Sequence, residues 1–458
     1  TEKDEFYFYK TESISLKTHD LLTEFIPKIL NNYQWKKSMK WGEFDLNWGR
    51  PLKSILSIFD KKVINFKFHH LISSNSTFTD KDLEEKKKPF KNFKEYEEFF
   101  EKQGIIVDQN KRLKIINRYF SKILNKKKLK INENPKLIEE VVNLVDNPNI
   151  FLCTFDKKFL TVPKEILILT METHQKYFPT FNSKDELTNE FLIVTNKKDQ
   201  KGLIRLGNER VVEARLSDAE FFWNKDKTQN LVKKVSELRL MNFFKGLGTY
   251  FDKVQRMRKL GGNLSDELLI SKEKVELSAS ICKTDLTSDL VGEFPELQGI
   301  MGGYFSSYQG FDRDISLAIT EQYLPIGLNS KISRKPFSIA LSISDKIDTL
   351  VGFFGINEKP SSSKDPFALR RTALGIIRTL IENKKDLKIK DLLLYSSSLY
   401  QDQGYTFNNP ELQKELNTFL KDRFKFYMRE KKIRNDIIDA STSSFSLNKL
   451  FSSFEKAR

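Results

Sequence analysis

The sequence predicts an α+β protein in which mixed α/β layers are followed by a mainly helical domain and a helical C-terminal extension. Short β-type runs, such as residues 62–68 and 191–195, occur only in the first two hundred residues. From Arg215 onward, apolar residues recur at helical spacing, interrupted by short glycine and proline turns. The predicted domains are an α+β portion over 1–214 with a basic helical segment near 81–130, a helical domain over 215–400, and the helical start of a C-terminal tail over 401–458.

Composition and charge exclude several classes of protein. With 39% hydrophobic residues in 458, the chain can bury sizeable cores and is not globally disordered. Its longest apolar stretch, 338–356, is interrupted by charged side chains, so no membrane span is predicted. Cys153 and Cys282 have no metal-ligand spacing and are typical of a reducing cytoplasm. The net charge of +16 favours a polyanionic partner, although abundant lysine, asparagine, isoleucine and phenylalanine are also typical of AT-rich coding.

The first part of the α+β portion contains predicted strands at 6–9 and 62–68 and a helix at 21–30. Trp35, Trp41 and Trp48 are interpreted as core residues, with stacking on nucleic-acid bases as the alternative. His69 and His70 would point to opposite faces of a strand, so we expect no shared metal ion.

Residues 111–130 carry nine basic and no acidic side chains and form an apolar stripe through Leu113, Ile116, Phe120 and Ile123. This pattern predicts a basic amphipathic helix, whose charged side either contacts phosphates or is only solvated. Further along, helices are predicted at 135–145 and 165–173 and strands at 150–155 and 191–195. His174 follows the second of these helices. It is interpreted as structural, because no nucleophile or carboxylate lies at a sequence spacing from it that would indicate a catalytic pair.

The helical part is predicted to contain helices at 216–223, 231–244, 250–260, 272–282, 312–322, 338–354 and 366–383. A turn is predicted at 246–249, and a glycine-rich connection at 290–303 either packs tightly or approaches a ligand. Residues 392–458 are predicted to be helical, with a loop at 441–446.

The helix at 366–383 has a marked start, with Asp365 as its N-cap and Pro366 at its first position. Gly375 lies between Arg371 and Arg378 on one face. The glycine lets another group approach the backbone closely, and that group is either a neighbouring helix or a phosphate chain.

Six segments in order along the chain resemble the β subunit of bacterial-type glycyl-tRNA synthetases. They are Lys-Asp-Pro-Phe-Ala-Leu-Arg-Arg at 364–371 and, upstream of it, segments at 174–179, 214–222, 247–253, 293–302 and 345–350. The resemblance implies that the chain is an internal portion of such a subunit, lacking the family's N-terminal part and its C-terminal anticodon-binding domain.

The same resemblance implies a function. The β subunit would bind tRNA(Gly) and support ATP-dependent attachment of glycine to the tRNA 3′ end by a separate α subunit, in a complex of two α and two β subunits in the cytoplasm. The enzyme would be a glycine–tRNA ligase in which this chain is the non-catalytic subunit. ATP with magnesium would be used by the whole enzyme, and this chain would bind no cofactor.

The helical part also resembles the HD-type fold of metal-dependent phosphohydrolases, with Asp285 and Asp345 where that superfamily carries metal-binding aspartates. Those enzymes hold their metals with imidazole as well as carboxylate groups. All four histidines of this chain lie upstream of the helical part. We therefore expect the fold without its metal chemistry, and no catalytic or metal-binding residue.

Charge and position together select candidate contacts to RNA: Lys111, Arg112, Arg118, Lys122, Lys346, Lys364, Arg370 and Arg371. Two alternative functions remain open at this point. One is a metal-dependent nucleotide phosphohydrolase of the HD type, and the other is an RNA-binding scaffold without a synthetase partner.

Overall fold

A computed structural model describes residues 16–79, 86–361, 364–443 and 445–458 of the chain. The strand predicted at 6–9 lies outside these residues. The helices are α1 Thr18–Asn32, α2 Phe93–Lys102, α3 Gln109–Lys127, α4 Pro135–Leu144, α5 Lys164–Leu169, α6 Leu203–Asp226, α7 Leu231–Lys234, α8 Tyr250–Asn263, α9 Ser265–Leu268, α10 Lys272–Ile281, α11 Asp289–Glu293, α12 Ile300–Tyr308, α13 Arg313–Glu321, α14 Pro336–Gly355, α15 Leu369–Glu382, α16 Ile389–Asp402, α17 Leu412–Glu430, α18 Asn435–Ser441 and α19 Leu450–Ala457.

The described residues also contain thirteen strands. They are β1 Ile55–Leu56, β2 Ile58–Phe59, β3 Lys62–Val63, β4 Lys67–Phe68, β5 Leu71–Ser74, β6 Ser76–Phe78, β7 Lys87–Pro89, β8 Lys130–Ile131, β9 Asn149–Thr154, β10 Phe178–Phe181, β11 Leu187–Thr195, β12 Asn242–Phe244 and β13 Gly248–Thr249.

The chain divides into two compact units. The first unit comprises the described residues of Thr1–Cys153 together with Lys176–Gly207, and the second comprises Thr154–Gln175 and the described residues of Asn208–Arg458. Most of the sheet structure lies in the first unit, and the second is mainly helical. The predicted α+β class is therefore confirmed, while the predicted domain limits stay predictions.

The main core of the first unit lies between two helices and a four-stranded sheet. The strand order is β8-β10-β11-β9, and β10 is antiparallel to both of its neighbours. Ile116 and Phe120 of α3 and Val141 of α4 are buried against Phe178 and Leu192 of the sheet. The predicted apolar stripe of the basic helix is thus confirmed as the side that packs on the core.

A smaller core forms around Leu46, Ile64, Phe66 and Phe68. Trp41 and Trp48 pack against it, whereas Trp35 is 40% exposed and contacts the Trp48 ring with centroids 5.1 Å apart. The core interpretation is therefore confirmed for two of the three tryptophans.

The prediction of one continuous strand over 62–68 is wrong. The Ser73 hydroxyl accepts a hydrogen bond from the Phe66 N–H at 2.8 Å and lies 2.7 Å from the Ile64 carbonyl oxygen. These bonds use backbone groups that a continuous strand would need for its ladder, so the segment splits into β3 and β4. His69 and His70 occupy the turn that follows β4.

The second unit is organised around α14, which is buried on nearly every side. Helices α8, α13, α15, α16 and α17 pack around it. A helix that is apolar all round belongs in a core, and α14 fits that rule except at three charged positions, Asp345, Lys346 and Asp348. These positions define the candidate site described below.

Three predicted helices differ from those observed. The helix predicted at 216–223 is the last part of α6, which begins at Leu203. The helix predicted at 231–244 is replaced by the short α7, a 3-10 turn over Val235–Leu240, and β12, which pairs with β13. The helix predicted from Pro366 begins at Leu369, because Ala368 adopts a left-handed conformation with φ 56°. Asp365 still caps the helix, since its carboxylate accepts from the N–H groups of Leu369 and Arg370 at 2.8 and 3.1 Å.

Within the described part of the chain, no helix has both the length and the apolar character needed to cross a bilayer.

Candidate functional site

A buried network of charges links α14 to α8. Lys253 and Arg256 lie one helical turn apart on α8 and face Asp345 and Asp348, which lie one turn apart on α14. Lys253 Nζ is 3.2 Å from Asp345 Oδ1 and 3.0 Å from Asp348 Oδ2, and Arg256 Nε is 2.5 Å from Asp348 Oδ1. Lys283 Nζ lies 3.2 Å from the same Asp345 oxygen. Matched spacing of opposite charges thus pairs the two helices.

These cations determine the ionisation of the two aspartates. Burial alone raises the pKa of each carboxyl group. The opposing effect is larger: Lys253 and Lys283 hold the pKa of Asp345 well below its usual range, and Arg256 and Lys253 lower the pKa of Asp348. Both groups are therefore ionised at neutral pH.

The same contacts test whether the helical unit fits a transition metal. Of the two aspartates at metal-binding positions, Asp345 is already paired with the ammonium groups of Lys253 and Lys283, and Asp285 accepts hydrogen bonds from two backbone N–H groups. No group of three or more histidine, cysteine or acidic side chains suited to a metal ion occurs among the described residues. The donor chemistry of this site does not fit a metal held by imidazole and carboxylate.

Asp285 fixes the glycine-rich connection rather than facing solvent. It is fully buried, and its Oδ2 accepts hydrogen bonds from the backbone N–H groups of Gly299 and Gly302. Burial raises the pKa of Asp285 to about 6, against the opposing effect of the Gly299 N–H. Gly302 and Gly303 pack against α13, so the end of the glycine-rich connection is tightly packed. Tight packing is one of the two predicted alternatives.

A cavity of about 710 Å³ lies beside this network in the second unit. Three of the six segments that carry the family resemblance contribute to its lining, through Gln298, Lys346 and Arg371 among others. The opposite wall, from Leu317 to Ile326, is largely apolar and includes the cis Leu324–Pro325 bond. A largely apolar concave space with a few charged groups is the usual form of a small-molecule site.

Lys346 is one of the buried residues of the cavity lining and is only 6% exposed. Its ammonium group donates hydrogen bonds to the Leu324 carbonyl and the Ser342 hydroxyl at 2.8 and 2.7 Å. A Cβ atom placed on Gly375 would lie 2.7 Å from Lys346 Cε. The glycine between Arg371 and Arg378 therefore accommodates a side chain of a neighbouring helix, which supports the helix-packing alternative.

The comparisons with known proteins decide the family. A family model described as the glycyl-tRNA synthetase beta subunit matches residues 1–443. The chain belongs to this family. It is 38% identical over 440 residues to the glycine–tRNA ligase beta subunit of Rickettsia canadensis and 36% identical over 428 residues to that of Rickettsia akari. The alignments cover 95% and 93% of this chain but 64% and 63% of the relatives, so the chain spans somewhat under two thirds of their length.

Membership of the glycyl-tRNA synthetase β-subunit family confirms the resemblance seen in the six segments. The eight basic residues predicted to contact RNA differ in burial and in their partners. On α3, Arg118 and Lys122 are exposed. Lys111 pairs with Glu97 and Glu101 at 3.0 and 2.8 Å, and these two carboxylates raise its pKa.

The remaining predicted RNA contacts are split between surface and interior. The Arg112 guanidinium donates to three backbone carbonyls of the first unit. Lys364 and Arg371 are exposed, and Arg370 donates to the Ser361 carbonyl. Lys346 is buried, which is a setting unlike that of a residue on an RNA-binding surface. The structure thus brings Lys346 and Arg371 together at one cavity and leaves the roles of all eight residues as predictions.

Three functional candidates were missed from the sequence: Lys253, Arg256 and Lys283. A signal was available, because the spacing of the first two on one predicted helix equals that of Asp345 and Asp348 on another. Periodicity places each pair on one face of its helix but does not show which helices face each other. The pairing therefore had to come from the tertiary structure.

His174 stacks on Phe294 of the second unit, with ring centroids 5.4 Å apart and an angle of 11° between the planes. A cavity of about 210 Å³ beside it is also lined by Arg215, Asp218 and Glu293. The stacked ring supports the interpretation of His174 as structural.

The charge of Lys346 has a consequence for stability that depends on pH. Burial is the largest cause that lowers the pKa of Lys346 to about 8, with partial compensation by Asp345. Below pH 8 the lysine is charged in the folded and unfolded states, so the cost of burying the charge is fully present. Between pH 8 and the unfolded value near 10.5 the folded state has released the proton, so the stability rises with pH.

We therefore expect Lys346→Met to raise the free energy of unfolding by roughly 1–3 kcal/mol at pH 7. The Ser342 hydroxyl continues to donate to the Leu324 carbonyl, so that carbonyl keeps a partner. The gain over the wild type should shrink as the pH rises from 8 towards 10.5. Urea unfolding across this pH range checks the prediction, with Lys388→Met at an exposed position as control, and a loss of stability at pH 7 would contradict it.

Proposed function

We propose that this chain acts as the β subunit of a glycyl-tRNA synthetase, binding tRNA(Gly) and supporting attachment of glycine to the tRNA 3′ end by a separate α subunit. The observation that carries the proposal is the family match over residues 1–443, together with relatives named as glycine–tRNA ligase beta subunits. The excess of 78 basic over 62 acidic residues suits a polyanionic partner. The proposed setting is a cytoplasmic complex of two α and two β subunits.

The proposal assigns no reacting group to this chain. Arg370 and Arg371 lie at the start of a helix rather than in a strand–loop–strand setting where a class II synthetase binds ATP. ATP and magnesium would therefore be used at a site on the α subunit. We also propose that the helical unit has an HD-like fold in which Lys253 and Lys283 neutralise Asp345. These cations favour the synthetase subunit over a metal-dependent phosphohydrolase.

Co-purification with a glycyl-tRNA synthetase α chain, followed by a glycylation assay, tests the proposal. We expect the tagged chain to retain the α chain and the pair to attach glycine to tRNA(Gly) at a rate well above that of α alone. Retention of tRNA without any α chain would instead favour the RNA-binding scaffold.

Exposed basic side chains allow a sharper test of tRNA binding. Neutralising Lys364 and Arg371 together (K364Q/R371Q) should weaken tRNA binding and make the dependence of log K on log salt shallower by about 1–2, because fewer counterions are released. Filter binding over a range of salt concentrations measures the slope, and circular dichroism checks the fold. The double variant K388Q/K390Q, also at exposed positions of the second unit, is the matched control. An unchanged slope with an unchanged fold rejects these two contacts.

A further inference from the structure

We infer that the 710 Å³ cavity of the second unit binds a nucleotide, with the phosphate near Lys346 and Arg371 and the base against the wall formed by Leu324, Pro325 and Ile326. The ligand class is a nucleoside monophosphate unit, supplied either as a free nucleotide or as the terminal nucleotide of single-stranded RNA. This inference does not rest on the proposed function.

Buried cations outnumber buried carboxylates next to the cavity. The four cations are Lys253, Arg256, Lys283 and Lys346, and the three carboxylates are those of Asp285, Asp345 and Asp348. The ammonium of Lys346 has hydrogen-bond acceptors that are all uncharged, namely a hydroxyl and two backbone carbonyls. Asp345 compensates this buried charge only in part, and an anion in the adjoining cavity would compensate it further.

The entrance of the cavity carries two further cations. Arg371 and Lys331 are both exposed and both contribute to the lining, so the positive charge extends from the buried Lys346 to the surface. The planar guanidinium group of Arg371 suits two parallel hydrogen bonds to a phosphate. Three carboxylates of the lining, those of Glu296, Glu321 and Asp345, oppose this charge, and of these only Glu296 is exposed.

A carboxylate oxygen in the lining favours a nucleotide over a simple anion. The Oε2 atom of Glu321, a residue of the lining, is buried and has no hydrogen-bond partner among the described residues. A buried carboxylate oxygen needs a donor, and phosphate at neutral pH is mainly an acceptor. The amino groups of a base or the hydroxyl groups of a ribose supply such donors.

One wall of the cavity is apolar and suits a base. Ile326 is 63% exposed at the edge of the cavity and continues the surface formed by Leu317, Leu324 and Pro325. A flat base covers such a wall, whereas an inorganic anion leaves it in contact with water. The volume lies within the range of about 300–1,000 Å³ typical of small-molecule sites.

Equilibrium dialysis of the full chain with AMP, with inorganic phosphate and with a short single-stranded RNA tests the inference. We expect AMP to bind at submillimolar concentration and at least ten-fold more tightly than phosphate. R371Q and I326D should each reduce AMP affinity at least five-fold, because they remove the exposed cation and place a carboxylate on the base-binding wall. K390Q, at an exposed position that does not contribute to the lining, should leave AMP affinity unchanged.

The RNA arm identifies the source of the nucleotide. If the oligonucleotide competes with AMP and binds more tightly, the natural occupant is an RNA end; if only AMP binds, it is a free nucleotide. Both results support the site. Absence of AMP binding at about 1 mM, equal affinity for AMP and phosphate, or AMP binding insensitive to both R371Q and I326D overturns it.

A measurement on the wild-type chain keeps the inference testable if a variant fails to fold. Hydrogen–deuterium exchange should show protection on AMP addition at residues 324–326 and 368–372, with none at the start of α3 in the first unit. Protection elsewhere alone, or none at all under saturating AMP, would also overturn the proposed site.

Discussion

Asp348→Asn is expected to lower the free energy of unfolding of the helical unit by about 3–5 kcal/mol. Asp348 is fully buried and accepts hydrogen bonds from Lys253, Arg256 and the Tyr400 hydroxyl. Removing its charge leaves two buried cations with the single carboxylate of Asp345, which Lys283 already shares. The cost is that of uncompensated buried charge, not that of one lost ion pair.

Urea unfolding monitored by circular dichroism at pH 7 measures this effect. The matched control is Asp436→Asn, which removes an aspartate paired with an arginine on the surface, where the two side chains are 60% and 77% exposed. Exposed pairs contribute little to stability, so the control should stay close to the wild type. Similar small losses in both variants would show that the buried network does not hold α8 to α14.

The pH dependence of the wild type has a definite sign for the same group. The folded pKa of Asp348 is lowered relative to its usual value, so its stabilising contribution is present above the unfolded pKa near 3.8. That contribution is lost as the pH falls from there through the lower folded value. The Asp348→Asn variant has no carboxylate to protonate at this position. Its free energy of unfolding should therefore fall less than that of the wild type over the same acidic pH range.

Much of the helical part was predictable because burial on one face leaves a periodic signal. Helices α8, α10 and α13 begin and end within a few residues of their predicted limits. The segment 231–244 also has apolar periodicity, yet it divides into short elements. Phe244 packs on Phe353 and Phe367, which lie more than one hundred residues further along the chain. The apolar periodicity of the segment itself cannot reveal such a tertiary contact.

The candidate site was less predictable than the fold. Lys346 was selected for its charge, but α14 is buried on nearly every side, so charge did not indicate exposure there. The apolar cavity wall comes from α13 and the segment after it, which carried no functional signal in the sequence. A site assembled from four helices and two connecting segments cannot be predicted without knowing which helix faces meet.

Gly303→Ala is expected to destabilise the helical unit by roughly 2–4 kcal/mol. A Cβ atom at this position would lie 1.8 Å from Thr320 Oγ1 and 2.9 Å from the Ser316 carbonyl oxygen on α13. The threonine side chain can rotate away, but the carbonyl belongs to the helix backbone, so α12 and α13 would have to separate. Their close approach is what the paired glycines Gly302 and Gly303 permit.

Gly292→Ala provides the matched control from the same glycine-rich connection. A Cβ atom there meets nothing within 4 Å, and Gly292 lies in the short helix α11, so alanine should leave stability unchanged or raise it slightly. Thermal unfolding compares the two variants, and the double variant G303A/T320A should recover only part of the loss because the Ser316 carbonyl remains in place. Full recovery would show that the steric conflict involves only the threonine side chain. Equal stability of the two alanine variants would show that the connection is not tightly packed at Gly303.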